Sequence, residues 1–310
     1  MKTLVISGGG SKGAFAGGVA EYLINVKGNK YDIFIGTSVG SLLISHLALN
    51  KIADLKSIFS NISNHDVFNI YPFIVKEKNG KIDFKINHLN TIRAFLKGCN
   101  TFGESNNLRK LIKNVFTKDD FEMLQKKSNV IFTVSNLTEQ KVEYKESQNC
   151  NYNDYCDWMW ASANAVPFMS LLKKNNCYYA DGGFGSHIPV LHAIDKGASD
   201  IDVIILDNQQ NTKNLETYTN PFQSLIGVFK FMNNQSGLKD MLLGKLKGRQ
   251  NKLDVKLWLL PENLTDNPFY FSPKQMSEWW EKGYNYAKTK QPICHCFLPN
   301  GEVKDINSKK

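Results

Sequence analysis

The sequence of 310 residues lacks any apolar run that approaches the roughly 20 residues a helix needs to cross a bilayer. Its N-terminus also lacks a basic start, a longer apolar stretch and a small-residue cleavage site, which together make up a secretory signal. We therefore expect a protein that is cytoplasmic or peripheral at a membrane. Export by a route that uses no N-terminal signal stays open.

Cysteine is scarce, and its spacing is not that of a metal site. The closest two of the six cysteines, Cys294 and Cys296, flank His295, and no second pair follows them. This pattern favours free thiols in a reducing compartment and provides no set of metal ligands.

Acidic residues are outnumbered, since 29 Asp and Glu stand against 38 Lys and Arg and the net charge is +9. No basic cluster with interleaved aromatic residues accompanies this excess, and no nucleic-acid motif is present, so we expect no nucleic-acid partner. The charge indicates either a solvated basic surface or attraction to anionic lipid headgroups. It does not indicate an oligomeric state.

The alternation of strand and helix patterns over the first two hundred residues predicts the fold class. Together with 42% apolar residues, it favours a three-layer α/β/α fold with a central, mostly parallel sheet. The composition becomes polar after Asp207, which predicts one domain over 1–207 and a mainly helical C-terminal extension over 208–310 packed on it. Further predicted elements are helices over 52–59, 108–116, 155–169, 222–232, 238–246 and 273–288, and strands over 130–134, 141–144, 177–180, 201–206 and 255–260.

The rest of the chain is organised around a serine between two glycines, in the stretch Gly36-Thr37-Ser38-Val39-Gly40. A strand is predicted immediately before it, over 31–35, and an apolar helix immediately after it, over 39–49. In this context the serine lies on a sharp strand-to-helix turn that projects its hydroxyl above the edge of the sheet. We predict that Ser38 is a nucleophile and that Gly36 and Gly40 permit the turn.

A glycine-rich loop follows the first predicted strand and precedes a helix, with the sequence Gly8-Gly9-Gly10-Ser11-Lys12-Gly13. The loop fits the G-x-G-x-x-G pattern of dinucleotide-binding modules, but Asp32 stands at the start of the second strand, where that motif has its acidic residue at the end. The other interpretation is a group of backbone N–H donors that stabilises an oxyanion. A nucleotide-binding module is therefore kept as an alternative.

The group that takes the proton of Ser38 is left open between two residues. Asp181 follows a short strand, and Gly182 and Gly183 after it allow a tight turn and a close approach to the serine. His187 formally completes a Ser38-Asp181-His187 triad in the order of α/β-hydrolases. Against the triad, Ser38 lies on only the second strand, and His187 shares a loop with Asp181.

Taken together, the glycine loop, the serine motif and Asp181-Gly182-Gly183 resemble the three signatures of patatin-like phospholipases, over about residues 3–206. The resemblance implies a Ser-Asp dyad that hydrolyses phospholipids or related acyl lipids at a membrane periphery, with neither a metal nor a cofactor. It assigns Ser38 as nucleophile, Asp181 as base and the Gly8–Gly13 loop as the oxyanion hole. Lys12 stands where the family usually has arginine.

Overall fold

The computed structural model describes residues 1–78, 81–207, 221–248, 253–265, 267–297 and 303–305. The strands are β1 (Lys2–Ile6), β2 (Ile33–Thr37), β3 (Phe73–Lys78), β4 (Lys81–Ile86), β5 (Asn129–Asn136), β6 (Lys141–Glu146), β7 (Leu172–Lys174), β8 (Cys177–Asp181), β9 (Asp200–Ile205), β10 (Leu253–Leu259), β11 (Ile293–Phe297) and β12 (Val303–Asp305). The helices are α1 (Gly13–Glu21), α2 (Val39–Ala48), α3 (Ile52–Asn61), α4 (Asn64–Val67), α5 (His88–Leu96), α6 (Asn106–Val115), α7 (Lys118–Lys127), α8 (Tyr152–Ser162), α9 (Val190–Asp195), α10 (Pro221–Gly248) and α11 (Pro273–Thr289).

A single large sheet forms the middle layer of the molecule. Its order is β12-β11-β10-β9-β1-β2-β5, with β6 and β8 both paired to β5 and β7 paired to β8. The neighbours from β10 to β5 are parallel, whereas β6, β7, β8, β11 and β12 pair in the antiparallel sense. Helices cover both faces, so the predicted three-layer α/β/α fold with a mostly parallel sheet is confirmed.

Alternating side chains of the central strands supply the two halves of the core. Leu4 and Ile6 of β1 pack on the side of α1, α2 and α11, while Val5 packs with Val190 and Ile194 of α9 on the other side. This alternation follows from the two-residue period of a strand that is buried on both faces. It places the ends of β1 and β2 under the start of α2.

The C-terminal part of the chain is attached to both the sheet and a helical layer. Strand β10 runs parallel beside β9, and α11 packs along α1. The two helices come very close, since a Cβ on Gly283 would lie 2.0 Å from the carbonyl oxygen of Phe15. The domain boundary at residue 207 stays a prediction, and residues 208–220 lie outside the described part.

The differences from the sequence prediction include the end of one helix, the number of helices after residue 220 and an additional hairpin. The helix predicted over 155–169 is α8, which ends at Ser162; just beyond this end, the carbonyl oxygen of Asn164 accepts the N–H of Asp181 at 2.9 Å. The two helices predicted over 222–232 and 238–246 are the single helix α10. Gly237 does not interrupt it, since Ser236 and Gly237 are held against the segment that contains His187. The hairpin β3–β4 was not predicted.

Candidate active site

Two strand ends meet head to head beside β5. Strand β6 takes one edge of β5 over residues 131–136, so β2 and β8 share the other edge. Thr37 at the end of β2 pairs with Thr133, and Asp181 at the end of β8 pairs with Val134, the next residue of β5. Because β2 and β8 run in opposite directions and end at adjacent positions, Ser38 and Asp181 are brought together.

The turn that carries Ser38 has the strained geometry of a nucleophile elbow. Ser38 adopts φ 57° and ψ −125°, which a residue other than glycine rarely does. Its N–H donates to Ser162 Oγ at 3.1 Å, the hydroxyls of Ser162 and Ser41 are 2.7 Å apart, and Ser41 donates to the carbonyl of Gly36 at 2.8 Å. The helix α8, distant in sequence, therefore holds the elbow in place.

Gly40 is required by a close approach of α2 to the first strand. A Cβ at this position would lie 2.4 Å from the carbonyl oxygen of Ile6. The start of α2 therefore sits directly against the end of β1, beside the glycine loop. Both predicted motifs consequently lie on one edge of the sheet.

Asp181 is buried, with 4% of its surface exposed, and it contacts the serine. Its Oδ1 accepts the N–H of Gly183 at 2.7 Å. Burial raises the pKa of Asp181 from 3.8 to about 6, although hydrogen bonds from the Ser38 side chain and the Gly183 N–H, and the charge of His187, act in the opposite direction. A carboxylate with this pKa is a much better proton acceptor near neutral pH than an exposed one.

Gly9 and Gly10 of the glycine loop line the same cavity as Ser38 and Asp181. The N–H of Gly8 donates to the carbonyl of His187 at 3.3 Å, and that of Ser11 donates to the carbonyl of Pro268 at 2.9 Å. Between them, the N–H groups of Gly9 and Gly10 have no acceptor in the ranges that the structure describes. Donors placed in this way are suited to a developing oxyanion.

The other predicted loop residues have different surroundings. Lys12 lines the cavity together with Gly8, Gly9 and Gly10. Ser11 is buried beneath Pro268, and Gly13 packs so tightly on Val39 that a Cβ would lie 2.2 Å from its Cγ2. Ser11 and Gly13 thus position the start of α1 and contribute no group to the cavity wall.

His187 lines the same cavity as Ser38 and Asp181, but its partner is a residue that the sequence prediction missed. The Nε2 of His187 is 2.7 Å from Oδ2 of Asp207, and Nζ of Lys12 is 3.4 Å from Oδ1 of the same carboxylate. Burial alone would lower the pKa of His187, but the charge of Asp207 and the hydrogen bond to it outweigh burial and raise it. Burial would raise the pKa of Asp207, yet the charges of His187 and Lys12 hold it below its ordinary value. The position of Asp207, directly after a predicted central strand, was the available signal.

An apolar cavity of about 330 Å³ opens at Ser38 and Asp181 and follows one face of α2. Val39, Leu42 and His46 line it, and their spacing of three and four residues places them on one side of the helix. His46 lies about 12 Å along the helix axis from Ser38, at a rise of about 1.5 Å per residue. Its Nε2 is 3.2 Å from the carbonyl of Val115, and its buried Nδ1 has no partner within the described residues. The remaining wall is mostly apolar and includes residues of α3, α6, α8, α10 and the segment 267–271.

The model of the family described as patatin-like phospholipase matches residues 4–194, more than half of the chain. This chain belongs to the patatin-like phospholipase family. The match includes Ser38, Asp181, His187 and the whole glycine loop, whereas Asp207 and α10 lie beyond it. Membership of the patatin-like phospholipases supports a lipid acyl hydrolase function and the hydrolysis of carboxylic esters.

Among solved structures, that of VipD from Legionella pneumophila is similar to this patatin-like phospholipase chain, with 15% sequence identity and a TM-score of 0.47. The similarity covers 93% of this chain and 66% of VipD, so the chain spans slightly less than two thirds of that protein. No curated protein sequence matches the chain.

Proposed function

We propose that this protein is a serine acyl hydrolase that cleaves carboxylic ester bonds of phospholipids, lysophospholipids or related acyl lipids through a Ser38–Asp181 dyad. One observation carries the proposal. Ser38 and the buried carboxylate of Asp181 line the same apolar cavity at adjacent strand ends, and the Ser38 side chain lowers the pKa of Asp181, beside the N–H groups of Gly9 and Gly10.

In the proposed acylation step, Ser38 Oγ attacks the ester carbonyl carbon while Asp181 accepts the hydroxyl proton. The carbonyl oxygen becomes an oxyanion and accepts hydrogen bonds from Gly9 and Gly10, each donor contributing about 3 kcal/mol to the transition state. The tetrahedral intermediate then collapses, the bond to the leaving alcohol breaks, and Asp181 returns its proton to that alcohol. An acyl ester on Ser38 remains.

The proposed deacylation step uses the same groups, with a water molecule as the nucleophile and Ser38 as the leaving group. Asp181, ionised again, takes a proton from a water molecule that attacks the acyl carbonyl carbon. The second oxyanion occupies the same two N–H groups, and its collapse returns the proton to Ser38 Oγ and releases a fatty acid. Because Asp181 has a raised pKa, it is able both to accept and to return the proton near neutral pH.

The cavity supports an acyl chain as the bound part of the substrate. Its volume of about 330 Å³ is within the range of small-molecule pockets, and its length along α2 suits a linear apolar chain. The net charge of +9 is consistent with a substrate presented at an anionic membrane surface, and we include a peripheral membrane location in the proposal.

The observed contacts favour Asp181 over His187 as the base. The imidazole Nε2 is paired with Asp207 at 2.7 Å, and the side chain that acts on the pKa of Asp181 together with the Gly183 N–H is that of Ser38. A nucleotide in the glycine loop is also disfavoured, because the Ser11 N–H that would contact a phosphate already donates to Pro268. We expect no saturable binding in titrations with NAD or ATP.

The proposal is tested with Ser38→Ala and Asp181→Asn, each matched with an exposed control of the same type, Ser57→Ala and Asp119→Asn. Hydrolysis is measured on phospholipid vesicles and on a p-nitrophenyl ester, and labelling by a fluorophosphonate is located by mass spectrometry. We expect label on Ser38 in the wild type and in both controls, and hydrolysis reduced by roughly 10²-fold or more in the two dyad variants. Undiminished hydrolysis in either dyad variant would reject the mechanism.

A further inference from the structure

The solvent-facing side of α10 carries exposed apolar side chains over five turns, interrupted by the exposed polar side chains of Gln235 and Lys239. Six of its side chains are between 44% and 63% exposed, and their spacing places them on one side of the helix: Val228, Phe231, Met232, Leu238, Leu242 and Leu246. We refer to these six residues as the outer face of α10. An exposed apolar stripe of this length is unusual on a soluble surface and marks a site of association.

The charges of α10 are almost all positive. Its range contains Lys230, Lys239, Lys245 and Lys247 and a single acidic residue, Asp240. The carboxylate of Asp240 points inwards, where it accepts the N–H of Ile188 at 2.9 Å and the hydroxyl of Ser186 at 3.2 Å. Lys247 forms an ion pair with Asp195 on the neighbouring helix, and Nζ of Lys239 donates to the carbonyl oxygen of Gly185 at 3.1 Å.

A second exposed apolar face lies on α5. Leu89, Ile92, Phe95 and Leu96 are between 52% and 84% exposed, and residues 88–97 include Arg93 and Lys97 but no acidic residue. We call these four residues the exposed face of α5.

Three successive ring contacts lead from α5 to α10. The ring of Phe95 is 6.1 Å from that of Phe102, which is 6.3 Å from Phe168, which is in turn 6.3 Å from Phe229 of α10. Phe229 and the adjacent Lys230 line the cavity that opens at Ser38. The outer face of α10 therefore lies on a helix that borders the cavity, and α5 is linked to that helix through these ring contacts.

We propose that the outer face of α10 and the exposed face of α5 dock together on the surface of an anionic phospholipid bilayer. The combination of an apolar stripe with flanking lysines and without outward carboxylates suits a helix lying in the headgroup region. Within the described residues, no helix is long and apolar enough to span a bilayer, so contact along the surface is the geometry that remains for α10. A second copy of this chain would bring like charges together. The choice of lipid as the occupant rests on the proposed function.

The test measures binding separately from catalysis. Vesicles of phosphatidylcholine, with and without phosphatidylglycerol, are sedimented with the Ser38→Ala protein, so that the lipid stays intact. The same measurement is made after adding Phe231→Glu with Leu242→Glu, and after adding the control Leu137→Glu, which changes an apolar side chain 42% exposed on the turn between β5 and β6. Hydrolysis of a short water-soluble ester is followed in the same variants with Ser38 restored, and light scattering gives the oligomeric state.

We expect the double variant to reduce partition onto phosphatidylglycerol vesicles by at least about tenfold, while the control leaves it unchanged and neither alters hydrolysis of the water-soluble ester. Added salt should weaken binding of the unaltered surface, since salt screens the lysines. Unchanged partition of the double variant would overturn the proposal, as would equal binding to both vesicle types at all salt concentrations. A wild-type dimer that the double variant separates would assign the surface to a second copy instead. Loss of the dyad chemistry would leave these binding results unaffected, so the two proposals fail separately.

Discussion

Replacing Asp181 by asparagine is expected to remove activity and, at neutral pH, to stabilise the fold. Burial raises the pKa of this carboxyl from 3.8 to about 6 in the native protein, so the native state binds a proton there more tightly than the unfolded chain does. An asparagine of nearly the same shape keeps an oxygen acceptor for the Gly183 N–H and carries no charge. It therefore avoids the cost of a buried anion.

The magnitude and its pH dependence follow from the two pKa values. Below pH 3.8 Asp181 of the wild type is protonated in both the folded and the unfolded state. The carboxyl then carries no charge penalty, and it makes no difference in stability between the wild type and Asp181→Asn. Between 3.8 and about 6 the unfolded chain ionises first, so the free energy of unfolding of the wild type falls as the pH rises. Above this range the full penalty is present, and at about 1.4 kcal/mol per pKa unit it amounts to about 3 kcal/mol.

The assay is urea unfolding of wild type and Asp181→Asn at pH 4 and at pH 8, with linear extrapolation to zero denaturant. We expect the free energy of unfolding of the variant to exceed that of the wild type by about 3 kcal/mol at pH 8 and by little at pH 4. Its rate of ester hydrolysis should fall by about 10²- to 10⁴-fold. Asp119→Asn, on the exposed surface of α7, should show neither change. A variant that is less stable than the wild type at pH 8, or equally active, would refute the reasoning.

Three further predictions concern residues around the dyad. His187→Gln should lower the free energy of unfolding. Because the charge of His187 lowers the pKa of Asp181, the variant should also shift the rise of ester hydrolysis with pH from about pH 6 to higher pH. An unchanged pH–rate profile would contradict this prediction. Ser162→Ala removes the acceptor of the Ser38 N–H. Urea unfolding should show a free energy of unfolding lower by about 1–3 kcal/mol, and steady-state kinetics should show a lower kcat at similar KM. An unchanged kcat would contradict this prediction. His46→Ala enlarges the cavity at a point about 12 Å along the axis of α2 from Ser38. The preferred chain length in a series of p-nitrophenyl esters should therefore increase, and an unchanged preference would argue against binding along α2.

The parts of the site that could be predicted from sequence are those built by short, continuous segments. A strand followed by a glycine loop or a serine turn and then by a helix is formed by neighbouring residues, so Gly8–Gly13 and Gly36–Gly40 are visible in the sequence. Parallel pairing of β1 with β2 then places both loops on one edge of the sheet. The three-layer fold follows in the same way from the alternation of elements.

Contacts between distant segments could not be predicted in this way. Ser162 supports the elbow from α8, and Asp207 holds His187 from the end of β9, and neither pairing has a local pattern. The continuity of α10 is also decided by tertiary contacts, because Ser236 and Gly237 would be expected to weaken a helix but are buried against His187 and Ile188. The head-to-head meeting of β2 and β8 depends on their register with β5, which sequence does not reveal.

The opposite behaviour of two aspartates on either side of His187 supports the assignment of their roles. Asp207 has the imidazole and the ammonium of Lys12 as partners, so its charge is stabilised and its pKa is lowered. A carboxylate held in this way is a poor proton acceptor. Asp181 interacts with neutral donors and with one charge, that of His187. Because burial outweighs these interactions, the pKa of Asp181 is raised to about 6. Environments that push two titratable groups apart identify which of them exchanges a proton. On this argument we propose Asp181 as the base and Asp207 as the residue that orients the imidazole, whose charge limits how far the pKa of Asp181 can rise.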